Sequence, residues 1–108
     1  MKSIKLQKGK KRYIVFKLNE SLDEKKAHEL IYGQLRYCVG TFGLEKIGYK
    51  FLKERYNQEN KTGILKIKLD GLEDVRKSLE LIKEKINIIG VSGIIKKTDR
   101  FILKNKCE

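Results

Sequence analysis

Ile64-Leu65-Lys66-Ile67-Lys68-Leu69 alternates apolar and mostly basic residues, the two-residue period of a strand with one face toward a core. Leu65, Ile67 and Leu69 are expected to point inward and Lys66 and Lys68 outward. Just upstream, Asn57 to Thr62 (NQENKT) is polar and precedes Gly63, as a hairpin loop would. Lys46 to Tyr56 (KIGYKFLKERY) then reads as the strand on the other side of that loop, with Ile47, Tyr49 and Phe51 on one face. Downstream, Asp70 is expected to cap a helix, with Glu73 three residues on. Leu72, Val75, Leu79 and Ile82 step by three, four and three, which makes one buried helical stripe.

Further out, Lys10 to Leu18 (KKRYIVFKL) is rich in β-branched and aromatic residues and apolar on both faces, as in a central strand. Ser21-Leu22-Asp23-Glu24 has the form of a capping box and announces a helix. Ala27, Leu30, Ile31, Gln34, Leu35, Cys38 and Phe42 form its expected stripe, and Gly40 and Gly43 are expected to stop it. Ile86 to Ile95 (INIIGVSGII) is the last strand, interrupted by Gly90 and Gly93, and a short basic segment closes the chain. The order β-α-β-β-α-β predicts an α+β fold of the ferredoxin-like, RRM-like split type. Two helices should cover one face of a four-stranded antiparallel sheet, with the first and third strands central and the fourth beside the first.

The 108 residues suit one domain, residues 1–108, and 40% apolar content is too high for a wholly disordered basic tail. No apolar run approaches membrane-spanning length, and the lysine-rich start lacks the apolar stretch of a secretory signal. These features, with only Cys38 and Cys107, point to a cytoplasmic protein with free thiols. The net charge is +12 and sits mostly at the two ends. Residues 1–12 carry six positive charges and no acid; residues 96–108 carry five positives against two acids. One lysine run is usually a solvated tail, but two that a fold brings together reward a polyanion through counterion release. Lys10, Lys11, Arg12, Lys66, Lys68, Lys96, Lys97, Arg100 and Lys104 are the candidate RNA-binding residues. Gly90, Ser92 and Gly93 could clear space for an RNA backbone or a partner, or could simply let the strand bulge.

No catalytic constellation is legible. His28 is the single histidine and lies inside the first helix, where a structural role is the ordinary one. Asp70, Glu73 and Asp74 belong in a helix's first turn, against its dipole, more than at a metal. No phosphate-loop glycine pattern occurs. Base stacking on the sheet face is poorly supported: the third strand has no aromatic, and Tyr13 and Phe16 fall on opposite faces of the first. Backbone-directed binding by lysine and arginine fits better.

Lys11-Arg12-Tyr13-Ile14-Val15-Phe16 and Gly90-Val91-Ser92-Gly93-Ile94-Ile95-Lys96-Lys97 resemble the protein component 2 family of archaeal ribonuclease P, and the order of elements agrees across nearly the whole chain. The resemblance implies a subunit of the ribonucleoprotein that removes the 5′ leader from precursor tRNA. It implies that the RNA subunit holds the catalytic Mg2+ and that the chain binds no cofactor. It also implies partners: ribonuclease P RNA, protein component 3 in a heterotetramer, other ribonuclease P proteins and, indirectly, precursor tRNA. Tyr49, Phe51, Ile94 and Phe101 are candidates for either the protein interface or the core. A different RNA-binding module on the same fold, such as a ribosomal protein, and a small enzyme or ligand-sensing domain are the competing readings.

Overall fold

The computed structural model describes residues 10–98. The elements are β1 (Lys11–Leu18), α1 (Glu24–Ile47), β2 (Lys50–Phe51), β3 (Thr62–Lys68), α2 (Leu72–Glu80) and β4 (Ile86–Ser92). Single 3-10 turns lie at Lys53–Arg55, Leu69–Gly71 and Ile95–Lys97. The sheet order is β2-β3-β1-β4 and every pairing is antiparallel. This is the predicted α+β, split β-α-β-β-α-β arrangement, with β1 and β3 central.

Alternation along β1 divides the sheet into two faces. Ile14, Phe16 and Leu18 enter the main core with Leu65 and Ile67 of β3, Phe51 of β2, and Ala27, Ile31, Leu35, Val75 and Leu79 of the helices. Both helices therefore cover that face. Val15 and Ile64 are fully buried on the far face, in a second cluster with Leu52, Tyr13, Ile89 and Ile95. The 3-10 turn after β4 thus returns Ile95 over the middle of a face that the sequence left open.

Several local expectations change. The α1 cap is Asp23, not Ser21: its carboxylate accepts the Lys26 N–H at 2.8 Å, while the Ser21 hydroxyl donates to the Gln58 carbonyl. Of the two expected stops, Gly40 does interrupt the helix, leaving helical geometry at φ 77° and ψ 174°, whereas Gly43 does not. Beyond this kink α1 resumes to Ile47 and closes on Gly48 in the left-handed conformation. In an unbroken helix, nine residues from Leu35 to Leu44 would put these side chains about half a turn apart. The break resets the phase, so that both are buried. Phe42, expected on the stripe, is 85% exposed for the same reason; Cys38, which precedes the break, is exposed as well.

The strand expected over Lys46 to Tyr56 shrinks to Lys50–Phe51, because α1 takes Lys46 and Ile47 and a 3-10 turn takes Lys53 to Arg55. Asp70 does not cap α2; it lies in the preceding 3-10 turn, and Gly71 holds the cap position without a side-chain bond. A Cβ on Gly71 would lie 2.5 Å from the Ile47 Cβ, so this glycine lets the end of α1 meet the start of α2. Leu69 is only half-buried, in the same turn. β4 ends at Ser92 rather than Ile95, and its register with β1 shifts: Val15 faces Gly90 and Phe16 faces Ile88, which leaves Ile89 as the bulged residue.

Candidate nucleic-acid interface

On the far face, register decides which cations become neighbours. Lys11 of β1 stands opposite Lys68 of β3, and Tyr13 opposite Lys66. Lys66 in turn stands opposite Lys50 of β2. Residues directly opposed across antiparallel strands share a face, so Lys11, Lys50, Lys66 and Lys68 form one basic patch at the end of the sheet. The Lys11 charge, a hydrogen bond with its side chain, some burial and the Lys50 charge hold the Lys66 ammonium below the usual lysine pKa, in that order of effect. The packing of like charge is thus a property of the fold, and an anion placed there would relieve it. Lys50 is the member that sequence reading missed. Its alternation with Tyr49 and Phe51 hinted at an outward side chain, but only the β2–β3 register places it beside Lys66.

The other expected site residues divide. Lys10 is exposed at the mouth of β1, where its carbonyl accepts the Leu69 N–H. Arg12 turns its guanidinium back onto the Lys11 carbonyl at 2.8 Å. Lys97 is exposed on the 3-10 turn after β4. Lys96 belongs to the same turn, while Arg100 and Lys104 lie outside the described residues, as do Phe101 and Cys107. The small residues have internal uses. Gly90 sits at the bulge, and the Ser92 hydroxyl donates to the Ile94 carbonyl and accepts its N–H. A Cβ on Gly93 would lie 3.2 Å from Arg12 Nη1.

A second arrangement lies at the β2 edge. His28 and Tyr32, four apart on α1, meet Tyr49 and Phe51 of the β2 region, with His28 ring centroids 5.6, 5.8 and 5.4 Å from those of Tyr32, Tyr49 and Phe51. Tyr49 Oη lies 3.1 Å from His28 Nδ1. Burial first, and the neighbouring Tyr32 second, push the Tyr49 phenol well above the usual tyrosine pKa. His28 is therefore tied into an aromatic cluster. Phe51 is core and Tyr49 half-buried, while Ile94 is 51% exposed. Among the described residues no group of three or more His, Cys, Asp or Glu side chains could hold a metal ion, and no helix is long and apolar enough to cross a membrane.

A split β-α-β-β-α-β sheet with a basic patch on the face away from its helices is a frame that several RNA-associated proteins use. A family model matches residues 12–103, and the chain belongs to the Rpp14/Pop5 family. This is a family of ribonuclease P protein subunits, and component 2 of the archaeal enzyme is consistent with it. No curated protein matches the chain.

Proposed function

We propose that this ribonuclease P subunit binds the RNA subunit through the lysine end of the far sheet face. In this reading it works with protein component 3, in a heterotetramer, to hold the catalytic RNA domain in its active fold. The RNA and its Mg2+ ions cut the 5′ leader from precursor tRNA in the cytoplasm; the chain breaks no bond. One observation supports this most: Lys11, Lys50, Lys66 and Lys68 converge from three adjacent strands on one rigid face. Cations fixed at such spacing lower phosphate repulsion in a folded RNA without the entropy cost of ordering a tail. Arg12 stands opposite Ile67 on the helix-covered face and so is not part of this contact; Lys10, Lys96, Lys97, Arg100 and Lys104 are proposed as further phosphate contacts.

Reconstitution with ribonuclease P RNA and component 3 tests the role. Omitting this chain should raise the Mg2+ concentration needed for precursor-tRNA cleavage. Unchanged cleavage at low Mg2+ would refute it. Robust cleavage by the polypeptide freed of nucleic acid would refute the non-catalytic part.

A further inference from the structure

The basic patch continues into a groove along the β2 edge. A cleft of about 630 Å³ is lined by Lys11, Lys50, Lys66 and Lys68 together with Tyr32 and Tyr49. A second, of about 540 Å³, is lined by His28, Tyr32, Tyr49 and Phe51, with Lys25, Lys50 and Lys53 at its rim. The two share Tyr32, Tyr49 and Lys50. Each has the size of a small-ligand site.

We propose that the aromatic cleft between α1 and β2 receives an unpaired RNA base, stacked against Tyr32, while the neighbouring lysines hold the phosphates that flank it. This deepens the RNA-binding reading and rests on it. Three features carry the inference. Tyr32 is 37% exposed, so part of its ring remains open to a ligand. Tyr49 is fixed behind it by the His28 contact, so the wall is formed in advance. Six lysines line the two clefts against the carboxylates of Glu24 and Glu45 alone, which favours a polyanion over an acidic or neutral surface patch. Bases inside a duplex are already stacked and cannot enter such a cleft, so the ligand class is single-stranded or bulged RNA.

The test compares an eight-nucleotide oligoadenylate with a blunt RNA duplex of the same length, at one salt concentration. A 2-aminopurine placed in the single strand should lose fluorescence on binding the wild-type protein. Tyr32→Ala should weaken single-strand binding about tenfold, the scale of one lost base–aromatic contact, and leave duplex affinity and the salt slope unchanged. Tyr32→Phe should restore it. An equal loss for strand and duplex, or no loss for either, would overturn the base site while leaving lysine-directed RNA binding intact. If added ribonuclease P protein shields the cleft while Tyr32→Ala binds RNA normally, the groove is a protein seat and the proposal fails. If wild-type protein binds neither RNA, the RNA-binding reading itself fails, and this one with it.

Discussion

Lys11 and Lys66, on neighbouring strands of the same sheet face, stand close enough for the first to lower the proton affinity of the second. The folded chain therefore holds repulsive charge that an unfolded chain would disperse. Because the Lys66 pKa is lowered in the folded state, its penalty is full at neutral pH. The penalty is relieved as pH rises from the lowered value toward 10.5, so this group's contribution to stability grows with pH in that window. Lys66→Gln should raise the melting temperature by about 1–5 °C at low salt, and by less at high salt, where the repulsion is screened. Thermal melts at two salt concentrations check it.

Tyr49 gives the opposite dependence. Its phenol is held protonated beyond the ordinary tyrosine pKa of 10.0, chiefly by burial. Its contribution is fully present below pH 10 and is lost as pH climbs above it. Tyr49→Phe should cost about 1 kcal/mol at neutral pH through the His28 contact, yet weaken the loss of stability above pH 10. Denaturant titrations at neutral and alkaline pH separate the two effects.

Gly40 and Gly33 should respond to alanine with opposite signs. Gly40 has φ 77° and ψ 174°, a region almost closed to L side chains, so Gly40→Ala should cost about 1–3 kcal/mol. Gly33 sits in regular α1 with nothing within 4 Å of an added Cβ. Gly33→Ala should stabilise by about 0.5–1 kcal/mol, from helix propensity alone. Denaturation midpoints of the two variants provide the comparison.

Gly71→Ala should be costly for a steric reason. Its Cβ would meet the Cβ and backbone Cα of Ile47, at 2.5 and 3.2 Å, and a rotamer change cannot clear either. A loss of about 1–3 kcal/mol in unfolding free energy is expected.

Element order, sheet order and the inward set Leu65 and Ile67 were legible because two-residue and four-residue periods are local signals. Residues whose roles depend on distant partners were not. Phe42 looked like core because its spacing from Cys38 fits a straight helix, and only the Gly40 backbone removes it from the stripe. Ser21 satisfied a capping pattern, but the chain enters the helix two residues later, at Asp23. In the candidate site, Lys66 and Lys68 were readable from alternation, whereas Lys50 required the β2 register. His28 and Tyr32 form one legible pair at helical spacing, and Tyr49 and Phe51 another at strand spacing. That they meet depends on how α1 packs against the sheet edge. The cover that Ile95 gives to Val15 likewise comes from the return of the chain after β4.

The most direct test of the cationic face is the salt dependence of binding to ribonuclease P RNA, measured for wild-type protein and for a variant with Lys11, Lys50, Lys66 and Lys68 all changed to alanine. If these side chains neutralise phosphates, the slope of log affinity against log salt should become shallower by about three. A variant that stays folded and keeps the wild-type slope would contradict the account.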